Sequence, residues 1–169
     1  GAHIRQVQAA FAPLFEAEDV IPDGSAFDIL LAEGDDLPLG HLHIHALHTP
    51  GHTPACMTHV IGDAAFVGDT LFMPDGGTAR ADFPGGDAAV LFRSIRALLS
   101  LPDSTRIHVC HDYQPGDRAL AWEATVAQQK AENIHVREGI SEADFVAMRT
   151  LRDKTLPLPE LLLPALQVN

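Results

Sequence analysis

His48-Thr-Pro-Gly-His-Thr-Pro54 and, after a short apolar run, Val67-Gly-Asp-Thr-Leu71 form the most informative part of this sequence. The imidazole of His52 stands on a loop rich in proline and glycine, and the carboxylate of Asp69 follows a short apolar strand. A third segment, Cys110-His-Asp-Tyr113, also closes an apolar run. Polar side chains at the points where strands run into loops gather along one edge of a sheet. Imidazole and carboxylate together suit zinc, iron and manganese.

Length, composition and charge are those of one ordinary globular domain. The chain has 169 residues, of which 46% are hydrophobic and 20% charged, and this predicts a single folded domain. A formal net charge of −12 disfavours binding to nucleic acid or to an anionic membrane surface. No apolar run approaches the roughly 20 residues of a membrane span. We therefore expect neither nucleic acid nor a membrane among the partners of this protein.

The two cysteines, Cys56 and Cys110, are too few for a disulfide framework. Both stand among apolar neighbours, so we expect them to be buried free thiols. Free thiols fit a reducing compartment, and the expected location is the cytoplasm.

Hydrophobic spacing predicts strands and helices in alternation, and hence an α/β or α+β fold. Strands are expected over 27–32, 42–46, 56–61, 64–67 and 106–110, with hairpin turns at 34–36 and 62–63, and an extended tail over 156–164. Helices are expected near the N-terminus, after Asp87, over 119–133 and after Ser141. Their core-facing positions are Ile4, Val7, Phe11 and Leu14; Leu91, Ile95 and Leu98; Trp122 and Val126; and Phe145, Met148 and Leu151.

Three histidines, His41, His43 and His45, alternate with apolar residues in the second predicted strand. Alternation places their imidazoles on one face, with Cβ atoms roughly 7 Å apart along the strand. That spacing is too wide for easy chelation of one metal ion. We therefore predict a solvated strand face here rather than a metal site.

The order of H-T-P-G-H-T, G-D-T-L-F and C-H-D-Y resembles the metallo-β-lactamase superfamily. Within it, the chain is similar to the sulfur dioxygenase (persulfide dioxygenase) branch, which stands beside glyoxalase II. The most discriminating segment is Gly77–Gly86, G-T-A-R-A-D-F-P-G-G, where the hydrolase branch tends to have R-x-F-E-G. The resemblance implies an αββα sandwich, of which this chain supplies the C-terminal two-thirds, with the later strands and the second sheet.

The first metal motif of that superfamily, H-x-H-x-D-H, does not occur upstream of His52. We therefore expect residues 1–169 to form a single metallo-β-lactamase-like domain that is truncated at its N-terminus and slightly at its C-terminus. Missing first strands would leave an apolar sheet face uncovered, and such faces are rare on soluble monomers. Expressed alone, the chain is expected to bind metal weakly, to show no turnover, and to aggregate or pair with another chain, for instance as a homodimer.

The resemblance also implies roles for individual side chains. His52, Asp69 and His111 are the expected metal ligands, Arg80 the expected contact to glutathione, and Tyr113 a phenol directed at the metal-bound ligand. Each has a plainer alternative. His52 could bond a backbone carbonyl, Asp69 could cap a turn, Arg80 could pair with a neighbouring carboxylate on the surface, and Tyr113 could be a core ring. His111 would bind a second metal in the two-metal hydrolases and persists without holding one in the dioxygenase branch.

Two enzymatic functions follow from the resemblance. The first is an Fe(II)-dependent dioxygenase that oxidises glutathione persulfide, or a similar small persulfide, to sulfite and thiol. The second is a zinc-dependent thioester hydrolase of the glyoxalase II kind, in which the metal lowers the pKa of bound water to about 7. A third alternative is an inactive remnant that lacks the first metal motif. The segments around Arg80 and His111 favour the dioxygenase.

Overall fold

The computed structural model describes residues 1–15 and 21–157. Its helices are α1 (Ile4–Phe11), α2 (Ala88–Leu98), α3 (Val126–Glu132) and α4 (Glu142–Asp153), with 3-10 turns at Ala12–Phe15, Gly68–Thr70 and Pro115–Asp117. Its strands are β1 (Asp36–Leu39), β2 (Leu42–His48), β3 (Met57–Ile61), β4 (Ala64–Phe66), β5 (Arg106–His108) and β6 (Glu123–Thr125). The tail predicted over 156–164 lies, from residue 158 onward, outside the described residues.

The six strands form one mixed sheet in the order β1-β2-β3-β4-β5-β6. Tight turns connect β1 to β2 at Gly40–His41 and β3 to β4 at Gly62–Asp63. β4 and β5 are parallel, so the chain must cross over between them, and α2 lies in that connection. Because β2 runs in the same direction as β4 and β5, all three end at the same edge of the sheet.

The main core lies between one face of the sheet and α2, with α4 packed on α2. Its fully buried members include Leu91, Ile95 and Leu98 of α2, the three positions that the hydrophobic spacing predicts. Ile107 contributes from the sheet and Phe145 from α4. Asp87 caps α2 by accepting the backbone N–H of Val90 at 2.9 Å, as its position before the apolar stripe predicts. These contacts confirm the expected α/β architecture of sheet and covering helices.

The opposite face of the sheet also carries apolar side chains. Leu39 and Leu42 oppose each other across β1 and β2, and both are exposed. By the pleat and the strand register, Phe66 of β4 lies on the same face and is exposed as well.

The histidines of the β1–β2 hairpin are solvated, as predicted. His43 and His45 bind the Asp36 carboxylate at 2.6 and 2.8 Å, and their rings are 6.3 Å apart.

Two predicted elements are wrong. Residues 27–32 form no strand, because Phe27 and Leu30 pack against α1 in a second apolar cluster instead. The first hairpin accordingly turns at 40–41 rather than at 34–36.

The third helix is much shorter than the predicted span of 119–133. Thr125 and Gln128 form a reciprocal capping box, which starts α3 at Val126. The three residues before it are strand β6, and Trp122 is 59% exposed rather than buried. Local apolar spacing could not show that the segment pairs with β5.

Three further side chains differ from prediction. Leu151 is 71% exposed, because α4 turns Arg149 and Asp153 toward the core in its place. Cys110 is exposed and Cys56 only partly buried, so the expected pair of buried thiols is wrong. Among the described residues, no helix combines the length and the apolar character needed to cross a membrane.

Candidate metal centre

The loop over 48–54 leaves the end of β2 and lies against the N-terminal half of α2. At Gly51 the backbone has φ +130°, and a Cβ there would lie 2.3 Å from the Cα of Leu91, so only glycine fits. The carbonyl of Gly51 accepts the backbone N–H of Asp87 at 2.9 Å, and that of Pro50 accepts the Ser94 hydroxyl at 2.7 Å. The loop is therefore fixed on the helix before it presents any side chain.

The two histidines of this loop have different environments. His48 bonds through Nε2 to the carbonyl of Pro54 at 2.8 Å, which closes the loop on itself. His52 bonds through Nδ1 to the carbonyl of Arg80 at 2.7 Å. Because a carbonyl can only accept, Nδ1 carries a proton, and in the neutral ring Nε2 then holds the lone pair. That Nε2 lies 3.8 Å from Asp69 Oδ2, so His52 is the histidine of this loop that faces the expected site.

Asp69 stands on the 3-10 turn that follows β4, between the side chains expected to share a metal with it. Its Oδ1 accepts the Cys110 thiol at 3.1 Å and lies 3.2 Å from His111 Nε2. One donor atom from each of Asp69, Cys110 and His111 can be chosen so that all lie within 4.8 Å of one another. This spacing is close enough for one ion to be bound by all three side chains. Asp69 thus lies close to both other predicted ligands, 3.8 Å from His52 and 3.2 Å from His111, whereas His52 lies outside the cluster that Asp69 forms with Cys110 and His111.

Cys110 is the member of this cluster that sequence patterns miss. Partial desolvation, together with the neighbouring Asp69 charge, raises the pKa of the Cys110 thiol to about 12. In the metal-free protein it is therefore a hydrogen-bond donor to the carboxylate. Its position directly before His111 at the end of an apolar run is a signal that could have identified it.

A buried carboxylate holds the loop that carries His111. Asp112 accepts two bonds from the Arg118 guanidinium, at 2.6 and 2.7 Å, and one from the Ala121 backbone N–H at 2.7 Å. The hydrogen bonds from Arg118 hold the pKa of Asp112 well below its usual range. This pair fixes the turn after β5 and was not visible in the sequence.

Tyr113 lies beside the cluster with its ring exposed. It packs edge-on against Phe72, with ring centroids 5.4 Å apart, and lies 6.1 Å from the His111 ring. Partial burial, with the Asp69 charge, raises the pKa of its phenol. The expected role of Tyr113 toward a metal-bound ligand stays a prediction.

Arg80 is held by the chain's own groups. Its side chain is 11% exposed and makes two bonds to the Asp82 carboxylate, at 2.6 and 2.8 Å. A third bond, of 2.6 Å, reaches the Pro157 carbonyl, and the guanidinium lies 4.9 Å over the Phe83 ring. The expected contact of Arg80 with glutathione stays a prediction; what the structure shows is that its backbone carbonyl orients His52.

The donor set fits a transition metal. Two imidazoles and a carboxylate are the ligands common to zinc and non-haem iron sites, and a thiolate is a further ligand of zinc. Asp69 and His111 follow β4 and β5, and His52 follows β2, so all three leave the same edge of the sheet. A mixed sheet covered by helices, with such donors gathered on loops at one edge, defines a class of metal-dependent α/β domains.

The chain belongs to the metallo-beta-lactamase superfamily, whose family model matches residues 2–111. It is 58% identical, over 180 residues, to a probable metallo-hydrolase of Burkholderia pseudomallei. That match covers 100% of this chain and 61% of the relative. The family expected from the sequence motifs is therefore confirmed.

Two further likenesses are to proteins named ETHE1. The mouse mitochondrial persulfide dioxygenase ETHE1 is 37% identical over 93 residues, which cover 53% of this chain and 36% of that protein. The crystal structure of ETHE1 from Myxococcus xanthus matches with a TM-score of 0.73 and 32% identity, over 85% of this chain and 61% of that one. The fold is therefore that of the metallo-beta-lactamase superfamily.

Proposed function

We propose that this chain is that of an iron-dependent dioxygenase that oxidises a small persulfide, glutathione persulfide being the expected substrate. The observation that carries the proposal is the contact between the 77–86 segment and His52. That segment distinguishes the dioxygenase branch from the hydrolase branch, and its Arg80 carbonyl bonds His52 Nδ1 at 2.7 Å. The likeness to ETHE1, whose mouse form is named as a persulfide dioxygenase, supports the same branch.

The three proposed ligands have separate tasks. His52 is anchored through Nδ1 and offers the lone pair of Nε2. Asp69 supplies negative charge between the two imidazoles, and His111 faces it from the turn after β5. Two histidines and one carboxylate leave coordination positions open, and iron bound there would supply a centre at which the persulfide sulfur and dioxygen meet.

The net reaction balances without a further reductant. One persulfide, one dioxygen and one water give one thiol, one sulfite and two protons. The sulfur–sulfur bond breaks, the outer sulfur is oxidised as dioxygen is reduced, and the inner sulfur leaves as the thiol. Arg80, with a planar guanidinium suited to a carboxylate, is the proposed contact for the glutathione part of the substrate.

A zinc-dependent thioester hydrolase is the second candidate. The observation that favours it is the position of Asp69 between two imidazoles, with Oδ2 3.8 Å from His52 Nε2 and Oδ1 3.2 Å from His111 Nε2. A carboxylate flanked in this way could bridge two metal ions, as hydrolytic two-metal sites require. The Burkholderia pseudomallei relative carries the name of a probable metallo-hydrolase.

Metal analysis and two activity assays separate these candidates. Protein purified without added metal would be analysed by mass spectrometry, and then assayed for oxygen uptake with glutathione persulfide and for hydrolysis of a glutathione thioester. For a complete site we expect iron, near one per site, and oxygen uptake; weak metal binding without turnover is the result expected of residues that lack the ligands of the first metal motif. His52→Ala and Asp69→Ala should lose the metal while keeping the circular dichroism spectrum of the folded chain. The matched control is His41→Ala, in the exposed turn between β1 and β2, which should keep the metal. Two zinc ions per chain, with thioester hydrolysis and no oxygen uptake, would contradict the dioxygenase.

A further inference from the structure

The peptide unit between Arg80 and Ala81 is held from both sides. On one side its carbonyl accepts the Nδ1–H of His52 at 2.7 Å. On the other side its N–H donates to Asp153 Oδ2 at 2.9 Å. A single rigid peptide plane thus connects the imidazole of a proposed metal ligand to a carboxylate at the end of α4.

Asp153 is itself fixed by Arg149, one turn earlier on α4. The two side chains are 4% and 1% exposed, and the guanidinium bonds Asp153 Oδ1 through Nε at 2.8 Å and through Nη2 at 2.7 Å. Arg149 Nη1 also donates to the carbonyl of Thr78 at 3.1 Å. The pair therefore bonds the 78–81 backbone at two points, the Thr78 carbonyl and the Ala81 N–H.

Stability alone does not explain why this ion pair is buried. Removing two charges from water is costly, and apolar side chains of similar volume often serve a core as well or better. Here the carboxylate has a second acceptor oxygen directed at one backbone N–H, and the other end of that peptide orients His52. Bonds in such a chain polarise one another, so the carboxylate strengthens the carbonyl as an acceptor.

We propose that Asp153, held by Arg149, is a positioning residue for His52. Acting through the 80–81 peptide, it fixes the ring orientation and the Nδ1-protonated tautomer, so that Nε2 presents its lone pair to the metal. The metal-affinity part of this inference rests on the proposed role of His52 as a ligand. Partners that orient a metal-bound histidine in this way are typically worth 10- to 100-fold in metal affinity.

The test uses a double variant that removes the pair without leaving a buried charge alone. Arg149→Met/Asp153→Leu fills the site with apolar side chains of broadly similar size and removes the bonds of the pair. The matched control is Arg93→Met/Glu142→Leu, which makes the same changes in an exposed ion pair that also involves α4. Cobalt(II) affinity would be measured by chelator competition, and the His52 ring nitrogens by nitrogen-15 NMR of the metal-free protein.

We expect wild-type His52 to be protonated on Nδ1, with a slowly exchanging Nδ1–H. The double variant should mix the two tautomers and bind cobalt about 10- to 100-fold more weakly, whereas the control should match wild type in both measurements. If the double variant does not fold, Asp153→Asn carries the test. Its amide oxygen still accepts the Ala81 N–H but lacks the charge, so its loss of affinity should lie toward the tenfold end.

The outcomes separate this inference from the proposed function. Wild-type His52 protonated on Nε2, or a folded variant with unchanged tautomer and unchanged affinity, would overturn the positioning role while leaving the metal site in place. A tautomer that responds to the variant, in a chain whose cobalt affinity does not depend on His52, would support the positioning role and reject His52 as a ligand.

Discussion

His135 should make this protein lose stability as the pH falls below neutrality. Its side chain is buried, 7% exposed, and Nδ1 accepts the backbone N–H of Thr78 at 3.0 Å. Burial, and then the nearby charges of Arg149 and Arg152, lower the pKa of His135 from 6.5 to about 4. A proton on Nδ1 would also occupy the lone pair that accepts the Thr78 N–H, so this hydrogen bond would be lost.

The sign and size of the effect follow from linkage. Between pH 6.5 and about 4 the unfolded chain takes up a proton at this position that the folded chain refuses. The stabilisation is therefore present above pH 6.5 and is lost as the pH falls toward 4. Evaluated at pH 5, the pKa difference corresponds to about 2 kcal/mol of lost unfolding free energy relative to pH 7.

Urea denaturation at pH 7 and pH 5 measures this loss. His135→Asn removes the titration while its amide oxygen can still accept the Thr78 N–H, so the variant should lose about 2 kcal/mol less than wild type between the two pH values. His41→Asn, in the exposed turn between β1 and β2, is the control and should follow wild type. Equal losses in wild type and His135→Asn would show that the burial of His135 does not govern the acid response.

Two further predictions concern the candidate site. His111→Ala should reduce turnover more than metal content if one metal is bound, and metal analysis beside the oxygen assay tests this; loss of half of the bound metal would instead indicate two ions. Arg80→Ala should raise KM for a glutathione-based substrate tenfold to a hundredfold, since a charge-assisted contact is worth roughly 1.5 to 3 kcal/mol, with the metal retained. An unchanged KM in steady-state kinetics would limit Arg80 to bracing its own loop through Asp82.

Sequence patterns placed the candidate ligands where strands end. His52, Asp69 and His111 could be chosen because each stands where a strand ends, and strands running in one direction bring such positions to one sheet edge. The same patterns failed at 27–32 and at Trp122. Residues 27–32 have the composition of a strand but pack against α1 as a loop, and the segment after Trp122 has the spacing of a helix but pairs with β5 as a strand.

The order of motifs, the apolar stripe of α2 and the turn at Gly62–Asp63 were therefore readable along the chain, because they depend on neighbours within a few residues. The conformation of Gly51 is an example of a requirement set by the fold, since Leu91 excludes any side chain there. The thiol of Cys110 against Asp69, and Asp153 bonded through one peptide to His52, depended on the folded structure. Cys110 and Asp69 are 41 residues apart in the chain, and Asp153 is 72 residues from Ala81, to which it bonds. The adjacent ends of β4 and β5 bring the first pair together, and the packing of α4 brings Asp153 to the 80–81 peptide.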